Sequence, residues 1–381
     1  MNLRSLVLCS DEKTTRVLRR VLSDLEIAVE GCADPDDAVK KLTRQRFEAV
    51  IVDCDDEDRA ARVLASVRSA PCNKRSLAIA MIDSQKATRS AFALGAHFVL
   101  YKPISAERAR TSFRAVHALM KCERRRNVRI TLQIPVTLVS EGSAPKKATT
   151  SDIGQGGMSI QLPRTARHAP PLRIKFSLPG TEHLIACAAE MAWKGSGAQS
   201  GIRFIDLSPA QREQLNAWLA LHSPDIEPDD PPVACRLTDL SSGGCYLEMP
   251  APFPARTRVV LTMRTGSTEN RVDGIVRVMH PEGGMGVEFT RTSSQQQDRS
   301  QKFIQALKQT GHAHPEVMVE PEGMDDPLDS AQPIADETED PLLDLFRRST
   351  DFTLESFRTQ LRKQRASYHA TAHAAADTVS V

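Results

Sequence analysis

From Leu3 to about Leu119, short apolar runs alternate with amphipathic stretches of helix length. Ser5 to Cys9, Glu48 to Asp53, Leu77 to Ile82 and His97 to Tyr101 read as strands. Apolar runs without alternation mark strands buried on both faces, and helical stretches between them predict a parallel sheet in an α/β layer fold. In such a sheet the chemistry collects beyond the carboxyl ends of the strands. Here those positions are Cys9, Ser10 and Asp11, then Asp53, then Ile82 and Asp83, then Lys102.

The period changes after Ile130. Leu132 to Ser140, Ala148 to Ser151, Met158 to Leu162, Leu172 to Leu178, His183 to Trp193 and Gly201 to Ile205 are short β-type runs broken by glycine and proline. Six such runs predict a small closed antiparallel barrel. Ser208 to Leu221 follows as an amphipathic helix with Ser208 as its cap.

The first segment resembles the receiver domain of response regulators over about 120 residues. Asp53 stands where a receiver carries its phosphoacceptor, and Lys102-Pro103 where it carries its lysine and the proline after it. The acidic pair that holds Mg²⁺ in the family falls on Cys9 and Ser10, leaving Asp11 nearby; the Thr/Ser and aromatic switch positions fall on Ile82 and Val99. A thiol and a hydroxyl are poor substitutes for two carboxylates around a hard cation. The expectation is therefore a pseudo-receiver without Mg²⁺, kept as a docking or dimerising module, with Asp53 and Lys102 as the candidate phosphoacceptor pair.

Lys121 to Arg129 holds five basic residues in nine. Within it Arg125 and Arg129 form an RxxxR pattern, and Asp152-Ile153-Gly154-Gln155-Gly156-Gly157 follows one hairpin later. These motifs, with Trp193 and Gly201-Ile202-Arg203-Phe204, resemble the PilZ domain, a cyclic di-GMP receptor fold, over about Glu123 to Pro224. The resemblance implies a ligand site built from Arg124, Arg125, Arg129, Asp152, Gly154 and Gly157. Its chemistry is intelligible from residue types. The guanidinium fork matches both phosphate and the guanine O6/N7 edge, Asp152 accepts from guanine N–H groups, and Gly156 and Gly157 allow a tight turn close to a ligand. Gly154 departs from the motif, where the family has Ser. The lost hydroxyl is worth about 1 kcal/mol of neutral hydrogen bonding.

The motif repeats. Asp239-Leu240-Ser241-Ser242-Gly243-Gly244 aligns with Asp152 to Gly157 and Gly286-Val287-Glu288-Phe289 with Gly201 to Phe204, which predicts a second PilZ-like barrel from about Pro232 to Thr310 ending in a polar helix, Ser293 to Leu307. The second copy lacks the arginines, because the segment Ile226 to Pro232 is acidic and proline-rich, and Met279 stands for Trp193. Carboxylates without a guanidinium fork repel a dianion, so this copy is expected not to bind and to pair with the first barrel or with another chain; Arg236, with Arg264 or Arg277, would be needed to rescue it from elsewhere.

Gly311 to Leu345 holds eleven acidic residues and no Lys or Arg, so no core is expected there. Leu342, Leu345, Phe346, Leu354, Phe357 and Leu361 then mark one helical stripe within an amphipathic helix over about 341–366. That stripe suits the chain's own barrels or a partner's groove.

The expected organisation is a receiver-like domain (1–120), a PilZ-like barrel with RxxxR and DxGxxG (121–224), a second barrel without RxxxR (225–310) and a disordered tail with the helix (311–381). A formal charge of +2, 26% charged residues and only 4% aromatics argue against a nucleic-acid coat. No apolar run approaches the length of a membrane span and no export signal is visible, which predicts a cytoplasmic protein. The eight cysteines form no CxxC pair, so they read as reduced, buried thiols rather than a zinc site. No nucleophile elbow, Walker loop or zinc-protease pattern is present. The reading is a non-enzymatic effector that binds cyclic di-GMP through the first barrel. The alternative is a ligand-independent adaptor, with an unidentified protein partner on the receiver-like domain, the second barrel or the C-terminal helix.

Overall fold

The computed structural model of the chain describes residues 3–70, 72–140, 144–161, 172–182, 184–195, 199–223, 230–266, 268–290, 302–307, 315–325, 340–348 and 353–364. It has two compact units, one formed by Glu123–Pro228 and the other by Asn2–Cys122 together with Asp229–Val381.

In the N-terminal domain β1 (Leu3–Leu8), β2 (Ile27–Cys32), β3 (Ala49–Asp53), β4 (Leu77–Ile82) and β5 (Phe98–Tyr101) form a parallel sheet of order β2-β1-β3-β4-β5. Helices α1 (Glu12–Asp24), α2 (Pro35–Arg44), α3 (Glu57–Ser69), α4 (Thr88–Ala93) and α5 (Ala106–Asn127) connect and cover it. Every residue of β4 is buried, as its unbroken apolar run requires. β2 escapes the apolar pattern because it is an edge strand with exposed Ala28 and Gly31. Asp11, Asp34 and Asp56 cap α1, α2 and α3 by accepting backbone N–H groups of the first turn. This order reverses direction at β1 and β3, so their carboxyl ends open the crevice at the topological switch point.

The first barrel contains β6 (Arg129–Thr131), β7 (Pro135–Ser140), β8 (Lys146–Gly154), β9 (Gly157–Gln161), β10 (Leu172–Ser177), β11 (Leu184–Lys194) and β12 (Gln199–Phe204). Six of them close a ring, β8-β7-β10-β11-β12-β9, through the β8–β9 pairing, and β6 lies outside it on β8. Strict alternation of burial along β10 turns Leu172, Ile174 and Phe176 inward. Helix α6 (Pro209–His222) begins with a capping box between Ser208 and Gln211 and buries Leu215, Trp218 and Leu219 against the same core.

The second barrel is closed by β13 (Val233–Leu240), β14 (Gly244–Glu248), β15 (Thr257–Thr265), β16 (Thr268–His280), β17 (Gly284–Phe289) and β18 (Glu316–Met324) in the order β13-β14-β17-β16-β15-β18. β18 corrects the expectation that 311–345 has no core: it buries Val317 and Val319 and pairs antiparallel with β13 and β15. In the first barrel that place, between β8 and β10, belongs to β7, which is also antiparallel to both neighbours. The second barrel is thus a circular permutant of the first. Its closing strand comes after the motif strands instead of before them, and among the described residues no strand of this barrel precedes β13. The short helix α7 (302–307) buries Phe303 against this core; the rest of the expected 293–307 helix lies outside the described residues.

The stripe at the C-terminus is divided between α8 (Pro341–Arg348) and α9 (354–364), rather than forming one helix over 341–366. Leu342, Leu345, Phe346, Phe357 and Leu361 bury themselves with Tyr246 and Val278 of the second barrel, so the stripe docks within its own chain. The cysteines are free thiols, of which Cys9, Cys122, Cys187 and Cys245 are buried, Cys32, Cys54 and Cys235 half-buried and Cys72 exposed, so the expectation of burial holds for four of the eight.

The receiver-like domain and the second barrel share one apolar cluster that includes Ala115, Leu119, Cys245 and Leu247. On α5, His117 Nδ1 lies 2.8 Å and Lys121 Nζ 2.7 Å from the Asp230 carboxylate, and the Cys122 thiol donates to the Pro321 carbonyl at 3.1 Å. Burial alone would raise the Asp230 pKa, but the hydrogen bonds and charges of His117 and Lys121 outweigh it and hold the carboxyl down at about 2. A depressed acid stabilises the fold above its unfolded pKa and loses that contribution as pH falls towards the folded value. The thermal midpoint of the wild-type chain is therefore expected to fall more steeply than that of Asp230→Asn between about pH 4 and pH 2. Parallel slopes in the two proteins would remove this carboxylate from the docking.

Candidate functional site

The antiparallel register of β6 on β8 sets Arg129 opposite Gly154 and Thr131 opposite Asp152. The Arg129 guanidinium accordingly reaches the Asp152 carboxylate at 3.0 Å, with the two side chains 44% and 25% exposed. Arg124 and Arg125 lie half-buried in the last turn of α5, and the Arg125 carbonyl accepts the Val128 N–H at 3.0 Å. Three arginines in that turn also face the negative end of the helix dipole. RxxxR therefore bridges a helix end and a strand, not one continuous extended segment.

Gly154 and Gly157 are both buried. A Cβ at Gly154 would stand 2.7 Å from the Val128 carbonyl oxygen. The departure from the family's serine therefore goes with close approach of the arginine segment, and a missing hydroxyl is not its whole account. At Gly157 a Cβ would fall well inside 3.0 Å of the Ile202 carbonyl oxygen, because β9 and β12 cross there. Gly156 has nothing within 4 Å of such an atom. Of the two turn glycines, only Gly157 is required by close approach.

The second barrel keeps the turn and changes its surroundings. Ser241 Oγ accepts the Gly244 N–H at 3.1 Å, and a Cβ at Gly244 would lie 2.6 Å from the Val287 carbonyl oxygen. Opposite this glycine stands Glu288, where the first barrel sets Arg203 opposite Gly157. Each is ion-paired across strands, Arg203 with Glu190 and Glu288 with Arg277, so the polarity at the turn is reversed. Arg203 stands opposite the turn glycine, a placement that motif reading passed over; comparing Gly-Ile-Arg-Phe with Gly-Val-Glu-Phe in the repeat carries the signal. The register also corrects one equivalence: Gly286 faces Val278 as Gly201 faces Trp193, so Val278 and not Met279 takes the place of Trp193. Arg236 lies 3.8 Å from Glu248 and Arg264 2.8 Å from Glu269, so with Arg277 all three possible rescuing cations already face carboxylates.

Residues 123–221 and 222–306 each match the PilZ domain model. The chain carries two PilZ domains. The second match ends before β18, the permuted strand of the second PilZ domain. No curated protein matches the chain. Among solved structures, the N-terminal domain is similar to the receiver domain of a sensor histidine kinase from Pseudomonas aeruginosa, at 20% identity over 32% of this chain and 98% of that one, TM-score 0.28. It is also similar to the chemotaxis response regulator CheY4 of Vibrio cholerae, at 21% identity over 30% and 99%, TM-score 0.29. An inhibitor of motility from Bacillus subtilis is similar at 16% identity over 25% of this chain and 48% of its own length, TM-score 0.22. No helix among the described residues is long and apolar enough to cross a membrane.

In the receiver-like domain the strand ends meet as the sheet order dictates. Lys102 Nζ lies 2.5 Å from Asp53 Oδ1 and 2.5 Å from Asp55 Oδ1, and the Cys9 thiol donates to Asp53 Oδ2 at 3.3 Å. Asp55 is a member of this cluster that the sequence reading missed. Burial works against the Lys102 charge, but Asp53 and Asp55 hold the ammonium above its usual range. Burial, helped by the Asp53 carboxylate, also pushes the Cys9 thiol up, which keeps it protonated as a donor. Asp11, the remaining acidic residue of the strand-one set, is spent on the α1 cap, where its carboxylate accepts from Thr14 N at 3.0 Å and Lys13 N at 3.2 Å.

Proposed function

We propose that the chain is a non-enzymatic cytoplasmic signalling effector that binds cyclic di-GMP through its first PilZ domain. The binding residues are Arg124, Arg125, Arg129 and Asp152, with the backbone at Gly154 and Gly157. The observation that carries this reading is the Arg129–Asp152 pair at 3.0 Å, which joins the second arginine of RxxxR to the acid of the glycine motif. Both side chains are partly exposed, and an exposed pair of this kind is worth at most about 1 kcal/mol. A phosphodiester offering charge-assisted, bidentate contacts can displace Asp152 from Arg129 and leave the carboxylate to accept from a guanine edge. Arg203 adds a cation beside Gly157, where the second PilZ domain has Glu288.

Ligand capture then orders Arg125 to Arg129, the segment through which the chain enters the first PilZ domain, and so restricts that domain against the body formed by receiver and second PilZ domain. Isothermal titration of the full chain with cyclic di-GMP tests the reading, with one site per chain expected. No heat at saturating nucleotide would return the protein to the adaptor class, in which the receiver-like domain and the second barrel carry protein partners.

The receiver pocket favours a docking role. Its lysine already spans two carboxylates, and a thiol and a serine stand where the Mg²⁺ ligands of the family would be. Acetyl phosphate with Mg²⁺ is expected to give no retarded band on phosphate-affinity electrophoresis. A band that vanishes in Asp53→Asn would establish Asp53 as a phosphoacceptor.

A further inference from the structure

The two PilZ domains cover corresponding faces differently. In the first, the Trp193 indole lies over Gly201 and stays 44% exposed. In the second, Val278 is too small to fill the same area, and Phe346 of α8 completes it: a Cβ at Gly286 would stand 2.7 Å from Val278 Cγ1 and 2.6 Å from Phe346 Cε1. At the adjoining turn, Asp340 Oδ2 accepts the Gly243 N–H at 3.1 Å while its Oδ1 caps α8 by accepting the Leu342 N–H at 3.0 Å. Leu343 rests on the same two glycines, Gly243 and Gly244. From α9, Phe357 packs 4.8 Å from the Tyr246 ring and 4.5 Å from His280, and Arg358 pairs with Glu248 at 3.0 Å.

An anionic oxygen on the turn amide and a flat ring on the facing glycine are the two pieces a nucleotide would bring to such a face. We infer that α8 with its Asp340 cap, together with α9, is a built-in ligand of the second PilZ domain, whose glycine face has become a docking surface for an amphipathic helix pair with an acidic cap. Three features of the surface fit this occupant: the Gly243 amide takes the cap carboxylate, Gly286 makes room for the ring, and Glu248 takes the arginine of the following helix. The inference stands whether or not the first PilZ domain binds nucleotide, so its test uses none.

Amide hydrogen exchange at Gly243 in the full chain is expected to quicken about tenfold or more in Phe346→Ala, because seat and cap are released together. In Asp340→Asn, which leaves the apolar seat intact, the Gly243 amide is expected to quicken while α9 keeps its protection. A fluorescent peptide of residues 340–364 is expected to bind the Phe346→Ala chain saturably and restore protection at Gly243. It should bind the wild-type chain, whose face is filled, at least about tenfold more weakly. Gly286→Val combined with Phe346→Ala blocks the seat from the barrel side and should abolish peptide binding. Unchanged exchange at Gly243 in both single variants, or equal peptide affinity for the wild-type and Phe346→Ala chains, would overturn the inference.

Discussion

Replacing Arg129 or Asp152 by alanine is expected to weaken cyclic di-GMP binding about 10- to 150-fold, the equivalent of about 1.5 to 3 kcal/mol for a hydrogen bond to a charged group. The two residues sit on the partner strands β6 and β8 and touch each other. Removing either also frees the other, so the double variant should lose less than the sum of the two single losses. Arg125→Ala is expected to fall in the same range. Asp239→Ala, the counterpart of Asp152 in the second PilZ domain, should leave affinity within about twofold, since a site that offers Glu288 and no RxxxR repels a dianion. Isothermal titration of the four single variants and the double variant checks this. Equal losses in Asp152→Ala and Asp239→Ala would place the ligand on the wrong barrel.

Neighbouring glycines of one turn are expected to respond unequally to a single methyl group. In Gly157→Ala the new atom meets the Ile202 carbonyl, which belongs to a sheet backbone and cannot move aside cheaply. Overpacking of this kind costs about 1 to 3 kcal/mol or more. Gly156 is exposed with open space around it, so Gly156→Ala should stay within about 0.5 kcal/mol of wild type. Urea unfolding of the full chain, followed through the buried Trp218 of the first core, measures both. A Gly157→Ala protein as stable as Gly156→Ala would mean that the β9–β12 crossing is looser than described. The repeat makes the same forecast for Gly244→Ala, where the obstacle is the Val287 carbonyl.

Much of the architecture is legible in the sequence. The unbroken run of β4 and the alternation in β10 each report a strand whose surroundings are set by local pattern, buried on both faces in one case and on one face in the other. Ser208 with Gln211 is a capping signature that needs no tertiary context. β2 was not legible, because an edge strand with exposed positions has no continuous apolar run. β18 was hidden for another reason: its two buried valines sit among acidic residues and prolines, and averaging over that window erased a period of two.

For the site, residue types and spacing picked out Arg125, Arg129, Asp152 and Gly157, and the register of β6 on β8 joined Arg129 to Asp152. Arg203 belongs to the repeated Gly-Ile-Arg-Phe stretch and Asp55 to no motif, and each matters only through what a neighbouring strand or loop puts beside it. Gly154 was read as a lost hydroxyl, whereas the packing makes it a point of close backbone approach.

What the chain's order of residues determines alone is local: which segments are strands or helices, which turn needs glycine, and where guanidinium groups are available, since these follow from side-chain period, backbone sterics and charge within a few residues. Which strand closes the second barrel, what covers its glycine face and which domain shares a core with the receiver were decided only in three dimensions. Each of those depends on contacts between residues far apart in the chain, such as Cys235 with Val317, Gly243 with Asp340 and Lys121 with Asp230. The free energy of such contacts comes from surfaces that exist only once the chain has folded.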